Sequence, residues 1–284
     1  DIISQGCHFI NLIEPKENWS EFNALESIYG VRAAINNLFQ NTSITANDIS
    51  AIGITTSNKG ALVWDKDSGL PLYNGISTSC KRTHEDPQKL THSPLETYIK
   101  EKAGSIVDYS HHGFYWKWLV ENIECVRKGI MQETAQVGTL DTWLIYNLTG
   151  RKEHMTDYTH AFKTLMLDLK NLTWDSFLMN EFLLTEKSLP VVTQSSHIFG
   201  RTEGFLSLPD NIPILAVAFT PAVELLGSNG LRFQESKLTL NYSGHFTMNT
   251  GTQVHNISHD STEPVILSFP KEVRYGLEGK IVFP

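Results

Sequence analysis

Cysteine is scarce in this sequence, with only Cys7, Cys80 and Cys125 among 284 residues. Their odd number and wide separation argue against a disulfide framework, which small secreted domains build from several closely spaced pairs. The sequence therefore favours a protein of a reducing compartment.

Basic residues are also in the minority, because 23 Lys and Arg face 31 Asp and Glu and leave a net charge of −8. A nucleic-acid surface needs a basic face, so nucleic acid is excluded as the expected partner. No apolar run approaches the roughly 20 residues that cross a bilayer as a helix. We therefore expect no direct transmembrane insertion.

An initiating methionine is missing, since the sequence begins Asp1-Ile2-Ile3-Ser4 and ends on Pro284 directly after a strand-like run. Neither end is typical of a natural terminus, and we expect a fragment of a longer chain. A targeting segment that is absent from a fragment says nothing about localisation.

Apolar residues recur at helical spacing in several segments. Ser20 is a candidate cap for the first predicted helix, and Asn41 lies just beyond its end. Pro221 is suited to the first turn of the last one. The predicted helices cover 19–40, 92–100, 111–128, the part of 135–149 after Gly138, 172–184 and 221–227.

Strand-like segments are β-branched and short, and a turn rich in Asp and Gly at 65–71 separates the early ones. The predicted strands are 50–55, 61–64, the fully apolar run 212–218, and an antiparallel series within 236–256, 262–269 and 272–283. A helix-rich α/β domain, residues 1–229, is thus followed at 230–284 by the β-rich opening of a second domain.

Four stretches of the sequence carry a family resemblance. They are ISAIGITTSNKGALVWDKDSGLPLYNGI, VGTLDTWLIYNLTGRKEHMTDYTHAFKTLMLDLKNLTWD, LPVVTQSSHIFG and RYGLEGKIVF. They resemble glycerol kinases of the FGGY carbohydrate-kinase family, and GTLDTWLIYNLTG and TDYTHA are the most specific segments. The likeness runs from about residue 10 to residue 283.

The resemblance implies an α/β protein of the ribonuclease H-like (actin-like ATPase) fold, with one nearly complete domain plus the start of a second. Residues 1–229 would be the N-terminal, glycerol-binding type of domain without its first hairpin, and residues 230–284 the beginning of the C-terminal, ATP-binding type. The family reaction transfers the γ-phosphoryl group of ATP to glycerol. It needs a carboxylate for the attacking hydroxyl, groups that hold the polyol, and phosphate-binding backbone with a metal.

The first substrate-binding position departs from the family pattern. The family segment reads like AIGITNQRETTVVW, whose Arg-Glu pair grips the glycerol hydroxyls, and this chain has AIGITTSNKGALVW without a gap. Asn58 stands in place of the arginine and Lys59 in place of the glutamate. A bidentate cation has become a short amide and an acceptor has become a donor, so the hydrogen-bonding pattern is inverted.

Two further substrate positions are also altered. Where the family reads like NAIVWQDRRT, this chain has NGISTSCKRT, so Thr78 replaces a tryptophan that packs on glycerol. Where the family reads like DPYFSGTKLKWIL, this chain has DYSHHGFYWKWLV, which places Ser110 at the tyrosine position. Tyr109 lies one residue away and is a partial substitute.

The catalytic carboxylate of the family lies in a stretch like GDQQAALFG, to which FTPAVELLG corresponds here. Thr220 stands at the aspartate position, and a threonine hydroxyl is no general base near neutral pH without an activating partner. Glu224 follows one helical turn later on the same side and is the only rescue candidate.

The phosphate-binding hairpin of the family reads like NTYGTGCF, and this chain has TLNYSGHF. Tyr242, Ser243 and Gly244 therefore replace Gly-Thr-Gly, and Tyr242 puts a ring where the backbone has to approach phosphate closely. A second phosphate hairpin, a DQGT-like motif, is absent from the residues given, which a truncation would explain.

Other candidate residues have simpler interpretations. Adjacent His111 and His112 are expected to be a solvated pair rather than metal ligands, and Cys80 a small filler residue. Asp141 and Asp157 match surviving family residues and are expected to be structural. The tryptophans at 116, 118 and 143 are expected in the core, and no metal site is expected.

The surviving motifs are those that build the fold, and the altered ones line the cleft. We therefore expect a glycerol kinase-like pseudoenzyme with a structural, scaffold or regulatory role, no cofactor, and a protein partner or homo-oligomer. The expected location is intracellular, either cytoplasmic or at the mitochondrial surface. Two alternatives stay open: an active kinase of glycerol or another polyol that uses ATP and Mg, and a nucleotide or metabolite sensor without turnover.

Overall fold

The structure is a computed structural model that describes residues 1–40, 42–57, 60–240, 244–254, 262–268 and 272–281. Its fold is mixed α/β. The elements before the last sheet are β1 Leu12–Ile13, β2 Glu21–Phe22, α1 Ala24–Gln40, β3 Ile52–Thr56, β4 Leu62–Asp65, β5 Gly75–Ile76, α2 Asp86–Leu90, α3 Pro94–Ala103, α4 His112–Asn122, α5 Glu124–Met131, β6 Ala135–Gly138, α6 Leu140–Leu148, β7 Met155–Asp157, α7 Tyr158–Phe162, β8 Leu167–Asp168, β9 Thr173–Trp174, α8 Ser176–Glu181, β10 Val191–Thr193, β11 Ile214–Phe219 and α9 Thr220–Gly227.

Two parallel strand pairs place the candidate site. β3 pairs with β11 so that Thr56 lies beside Phe219, and β7 pairs with β10 so that Asp157 lies beside Thr193. α7 follows β7 directly and contacts β11. The polar residues at the carboxyl ends of these strands therefore meet, as binding groups do in open α/β sheets.

The last four strands form the antiparallel sheet that the sequence predicts: β12 Ser236–Leu240, β13 Gly244–Gly251, β14 Thr262–Ser268 and β15 Val273–Ile281, in the order β12-β13-β15-β14. Val265 and Leu267 of β14 pack with Phe219 and the inner face of α9, and Ile266 packs with Phe162 of α7. The sheet thereby closes over the ends of β7 and β11.

The main core lies under α4 and α5, where Trp116 is fully buried and Trp118 is partly buried against it. Trp143 of α6 is fully buried in a separate cluster with Trp64 and Tyr146. Cys80 is also buried, as expected for a filler residue, and all three cysteines are free. No helix among the described residues has the length and apolar content needed to cross a membrane.

Three predicted helix boundaries are wrong for identifiable reasons. The helix predicted from residue 19 begins at Ala24, because Glu21–Phe22 pairs with β1 and β5 and Asn23, not Ser20, accepts hydrogen bonds from the first-turn amides. The helix predicted at 111–128 is two helices, because Ile123 adopts an extended conformation between them. The helix predicted at 172–184 shortens to α8, which Asp175 caps.

The predicted strand at 212–218 and the helix after it are confirmed. β11 is followed without a loop by α9, and Pro221 occupies its first turn. The turn after β4 is also confirmed, since the Leu70 carbonyl accepts from the Asp65 amide and Gly69 has a positive φ of 67°.

Candidate functional site

A buried polar group lies where β3, β7 and β11 end, and we call it the His160 cluster: Thr56, Asp141, Asp157, His160 and Ser195. Asp157 precedes α7 and caps it, since its Oδ1 accepts from the His160 amide at 3.2 Å. The same oxygen accepts from His160 Nδ1 at 2.6 Å. The other ring nitrogen has a partner as well, because Nε2 lies 2.8 Å from the Thr56 hydroxyl of β3.

The second Asp157 oxygen links the cluster to neighbouring elements. Oδ2 accepts from the hydroxyls of Thr159, at 2.8 Å, and Ser195. The Thr159 hydroxyl in turn accepts from the Phe219 amide at 2.7 Å, the last residue before α9. Asp141 approaches the same ring nitrogen as Asp157, with its Oδ2 3.7 Å from His160 Nδ1.

The charge of His160 follows from these neighbours. Burial is the largest single influence and lowers the pKa of His160, but the carboxylates of Asp141 and Asp157 and their hydrogen bond outweigh it. The pKa of His160 is therefore raised above its usual value, and the imidazolium is favoured. The ring is buried next to two buried carboxylates, which are the groups that stabilise its protonated form.

The cluster also has the atom types of a metal site, since ligand atoms of Asp141, Asp157 and His160 lie within 4.8 Å of one another. Each carboxylate oxygen already accepts a hydrogen bond, however: Asp141 from Thr139 and Thr156, and Asp157 from the groups above. We assign the cluster to hydrogen bonding, because a donor within the protein already engages every one of these carboxylate oxygens.

Thr56, His160 and Asp157 stand in the order of a hydroxyl–imidazole–carboxylate relay, which in other proteins activates a nucleophile. The base of a relay needs an imidazole nitrogen with a free electron pair. The raised pKa of His160 favours the imidazolium, whose two nitrogens are both donors and which is therefore a poor base. The arrangement joins the end of β3 to α7.

Thr220, the predicted counterpart of the catalytic aspartate, is the first residue of α9 and lies beside the cluster. It is half-buried, and its hydroxyl lies 3.1 Å from the hydroxyl of Thr55 at the end of β3. Because Thr55 and Thr56 alternate along the strand, one hydroxyl meets Thr220 and the other meets His160. The structure thus places a hydroxyl pair at the carboxyl ends of β3 and β11.

Glu224, the rescue candidate, is engaged elsewhere. Its Oε2 accepts from Lys237 Nζ at 3.1 Å and from the Thr239 hydroxyl at 2.9 Å, both on β12. Partial burial is the largest influence and raises its pKa, but the hydrogen bonds from Lys237 and Thr239 outweigh it, so the pKa of Glu224 is lowered. A carboxylate with a lowered pKa is a weaker base.

Besides the Glu224–Lys237 pair, the last sheet forms an ion pair with the residue that follows α7. Lys163, at the end of α7, is buried with Nζ 3.4 Å from Glu278 of β15 and 5.4 Å from the Phe219 ring. His245 Nδ1 lies 3.8 Å from the other Glu278 oxygen. Lys163 is thus held by a carboxylate of the last sheet.

Thr78 and Ser110, two of the predicted substrate positions, make their contacts with residues outside the His160 cluster. Thr78 is half-buried and lines a cavity of about 540 Å³ together with residues of the N-terminal segment, including Phe9 and Leu12. The Ser110 hydroxyl donates to Asp108 at 2.6 Å, and the ring of Tyr109 meets His84 edge-on at 5.0 Å.

Several predicted positions lie outside the described residues: Asn58, Lys59, Tyr242 and Ser243. Gly244 is described as the first residue of β13, where it pairs with Leu240 and Ile281. The roles assigned to all these positions, and to Thr78, Ser110, Thr220 and Glu224, stay predictions.

The prediction of a solvated His111–His112 pair is wrong, because both side chains are buried. His111 Nδ1 lies 3.0 Å from the Asp108 carbonyl and Nε2 lies 3.2 Å from the Ser105 hydroxyl. Burial lowers the pKa of His112 to about 3, so this imidazole is neutral. The start of α4 packs under α7, which sequence periodicity did not reveal.

Sequence analysis missed His160 and Lys163. A signal was present for the first, since His160 follows Asp157 by three residues, the spacing at which a helix cap and a first-turn side chain meet. Lys163 has no comparable signal, because its partner Glu278 lies 115 residues away.

Most of the chain matches a known family model, the N-terminal domain of the FGGY family of carbohydrate kinases, over residues 1–227. Among curated proteins, the chain is 32% identical over 281 residues to glycerol kinase 2 of Clostridium tetani, covering 99% of this chain and 57% of that protein. It is 34% identical over 272 residues to glycerol kinase of Desulforamulus reducens, covering 95% of this chain and 54% of that protein.

Solved structures give the same grouping. Glycerol kinase of Plasmodium falciparum, crystallised with ADP, superposes with a TM-score of 0.90 at 26% identity, covering 97% of this chain and 55% of that one. A xylulose kinase of Lactobacillus acidophilus superposes with a TM-score of 0.82 at 20% identity, covering 96% of this chain and 54% of that one, which shows the shared fold alone. The chain spans about half the length of the relatives it matches.

Proposed function

The chain belongs to the FGGY family of carbohydrate kinases, as a glycerol kinase-like member, and from this premise we propose that it is a pseudoenzyme. In this proposal it keeps the kinase fold, has lost ATP-dependent phosphorylation of glycerol, and has a structural, scaffold or regulatory role. Its cleft requires no cofactor for that role.

One observation carries the proposal: the end of β11 offers no available carboxylate among the described residues. The hydroxyl of Thr220 is bound to Thr55, and the carboxylate of Glu224 is bound to Lys237 and Thr239 with a lowered pKa. Asp157 is buried and bound to His160. Loss of a general base typically costs about 10² to 10⁴ in rate.

The primary test is a coupled assay of ADP release by the full-length natural protein, with glycerol, ATP and Mg²⁺. We expect release no higher than that of a Thr220→Ala variant, because Thr220 supplies no base. The two proteins are first compared by thermal unfolding, so that a folding defect is not mistaken for inactivity. Glycerol-dependent release above the variant would overturn the proposal and support an active kinase.

The sensor alternative is separated by a binding measurement. A ligand that binds the folded state alone stabilises it by RT ln(1 + [L]/Kd), about 2.7 kcal/mol at a hundredfold excess over Kd. We expect no shift in the midpoint of thermal unfolding with ADP, ATP or glycerol. A saturable shift without ADP release would replace the pseudoenzyme proposal with a nucleotide or metabolite sensor.

We also propose that the chain acts through a protein partner or a second copy of itself. The outward face of β12 supports this, because Leu238 and Leu240 are more than half exposed. Lys237 and Thr239, which alternate with them along the strand, bind Glu224. Light scattering of the purified full-length protein distinguishes the homo-oligomer from the monomer that needs another partner.

A further inference from the structure

The His160 cluster is not used by the proposed function, yet it ties together the elements that form the base of the cleft. It reaches β3 through Thr56, α6 through Asp141, and the start of α9 through the path Asp157–Thr159–Phe219. Ser195 joins the segment before β11 to the same carboxylate. Its hydrogen bonds therefore determine where the ends of β3 and β11 lie.

We propose that the His160 cluster is a proton-dependent latch: His160 is a positioning residue whose protonation holds the end of β3 and the start of α9 together. The proposal is independent of whether the chain transfers phosphate. It concerns the shape of the cleft base, not a chemical step.

The two protonation states differ in charge and in hydrogen-bond direction. As an imidazolium, His160 donates through Nδ1 to Asp157 and through Nε2 to the Thr56 hydroxyl. When the proton leaves, Asp157 retains the Nδ1–H tautomer and Nε2 becomes an acceptor, so the Thr56 hydroxyl must reverse and donate. The buried cluster then holds two carboxylates without a cation, which burial strongly disfavours.

The surrounding charges on every packed element are accounted for. Asp141 of α6 and Asp157 favour the imidazolium, and neutral His112 of α4 contributes no charge near neutral pH. Lys163 of α7 is offset by Glu278 of β15. Asp168 of β8 is offset by Lys102. The carboxylates of the cluster are thus the neighbours that set its proton affinity.

The direction of the effect follows from linkage. A group whose pKa is raised by folding contributes stability that is complete below its unfolded pKa, about 6.5 for histidine. That contribution is lost as the pH rises through the folded pKa. The latch is therefore closed below about pH 6.5 and loosens as the pH rises from there through the folded pKa of His160.

The Phe219 amide is a direct reporter, because it donates to the Thr159 hydroxyl that Asp157 holds. We would measure its hydrogen exchange by NMR as the pH is raised from 6, after correction for the intrinsic exchange rate. In the wild type we expect the protection of this amide to fall with rising pH. The expected fall is about tenfold for each unit by which folding raises the pKa of His160. In His160→Asn, whose amide does not titrate, we expect no such step.

A matched control is His154→Asn, which removes another buried histidine. Burial lowers the pKa of His154 to about 4, and its Nε2 contacts the Val137 carbonyl at 2.8 Å, so it stays neutral over this pH range. This variant should keep the wild-type pH step. The same pH dependence in the wild type and His160→Asn would overturn the proposal.

A second measurement removes the dependence on a folded variant. The ring carbons of His160 in the wild type report its titration directly by NMR. A titration midpoint above about 6.5 is expected. A midpoint at or below that value overturns the latch, even if His160→Asn fails to fold.

Discussion

Glu21→Gln is expected to lower the free energy of unfolding by about 3–5 kcal/mol, because it leaves a buried guanidinium without its counter-charge. Glu21 and Arg82 form an ion pair with a 2.5 Å contact, and both side chains are almost completely inaccessible to solvent. The Glu21 carboxylate also accepts from Tyr73 and Asn74, each at 2.9 Å. A glutamine keeps the shape of Glu21 but cannot accept from three donors with a full charge.

The pair also bears on a predicted substrate position, because Arg82 belongs to the loop that carries Thr78. Its guanidinium packs against both Trp19 and Trp118, 4.0 Å and 4.6 Å from the ring centroids, and its Nε donates to the sulfur of Cys80. The ion pair thereby fixes this loop on β2. Losing the charge of Glu21 should loosen the loop as well as destabilise the fold.

The measurement is urea unfolding of the wild type and Glu21→Gln, with Glu124→Gln as the matched control. Glu124 pairs with Lys128 one helical turn away, and both side chains are about two-thirds exposed. Exposed pairs of this kind contribute at most about 0.5 kcal/mol. Equal effects of the two substitutions would show that the Glu21–Arg82 pair is not buried in solution.

A double variant separates lost charge from lost packing. Arg82→Met keeps an unbranched side chain against Trp19 and Trp118. In combination with Glu21→Gln it removes both charges of the pair. Replacing both members of a buried pair is often far less costly than breaking it. The double variant should therefore be more stable than Glu21→Gln alone.

The fold was largely predictable from the sequence, because its signals are local. The apolar run before α9 and the proline in the first turn of α9 predicted β11 and α9, and the alternating segments after residue 230 predicted the last sheet. The mixed α/β class and the family are confirmed. The failures lie where tertiary contacts override periodicity, as at Ile123, which interrupts a continuous helical pattern, and at Glu21–Phe22, which pairs as a strand.

The candidate site was less predictable, because its geometry depends on long-range partners. Sequence comparison identified Thr220 as a departure, but not that its hydroxyl contacts Thr55, 165 residues away. Nor does sequence show that Glu224 is bound by Lys237 and Thr239, which removes its freedom to face Thr220. His160 was overlooked because only folding places it between two carboxylates.

Leu267→Ala is expected to lower the free energy of unfolding by about 2–5 kcal/mol, because it opens a cavity where the sheet meets α9. Leu267 is completely buried with Phe219, Ala222 and Leu225. α9 carries Thr220 and Glu224, so this contact holds the two predicted catalytic positions against the sheet. Leu238→Ala, at a position 51% exposed in the same sheet, is the matched control and should cost no more than about 0.5 kcal/mol.

The number of unfolding transitions tests the predicted division into residues 1–229 and 230–284. The packing of β14 on α7 and α9, with the Glu224–Lys237 and Lys163–Glu278 pairs, couples the two parts physically. We therefore expect one cooperative transition that Leu267→Ala shifts as a whole. If only the sheet loses stability while α7 and α9 keep their hydrogen-exchange protection, the residues after 229 form a separate folding unit.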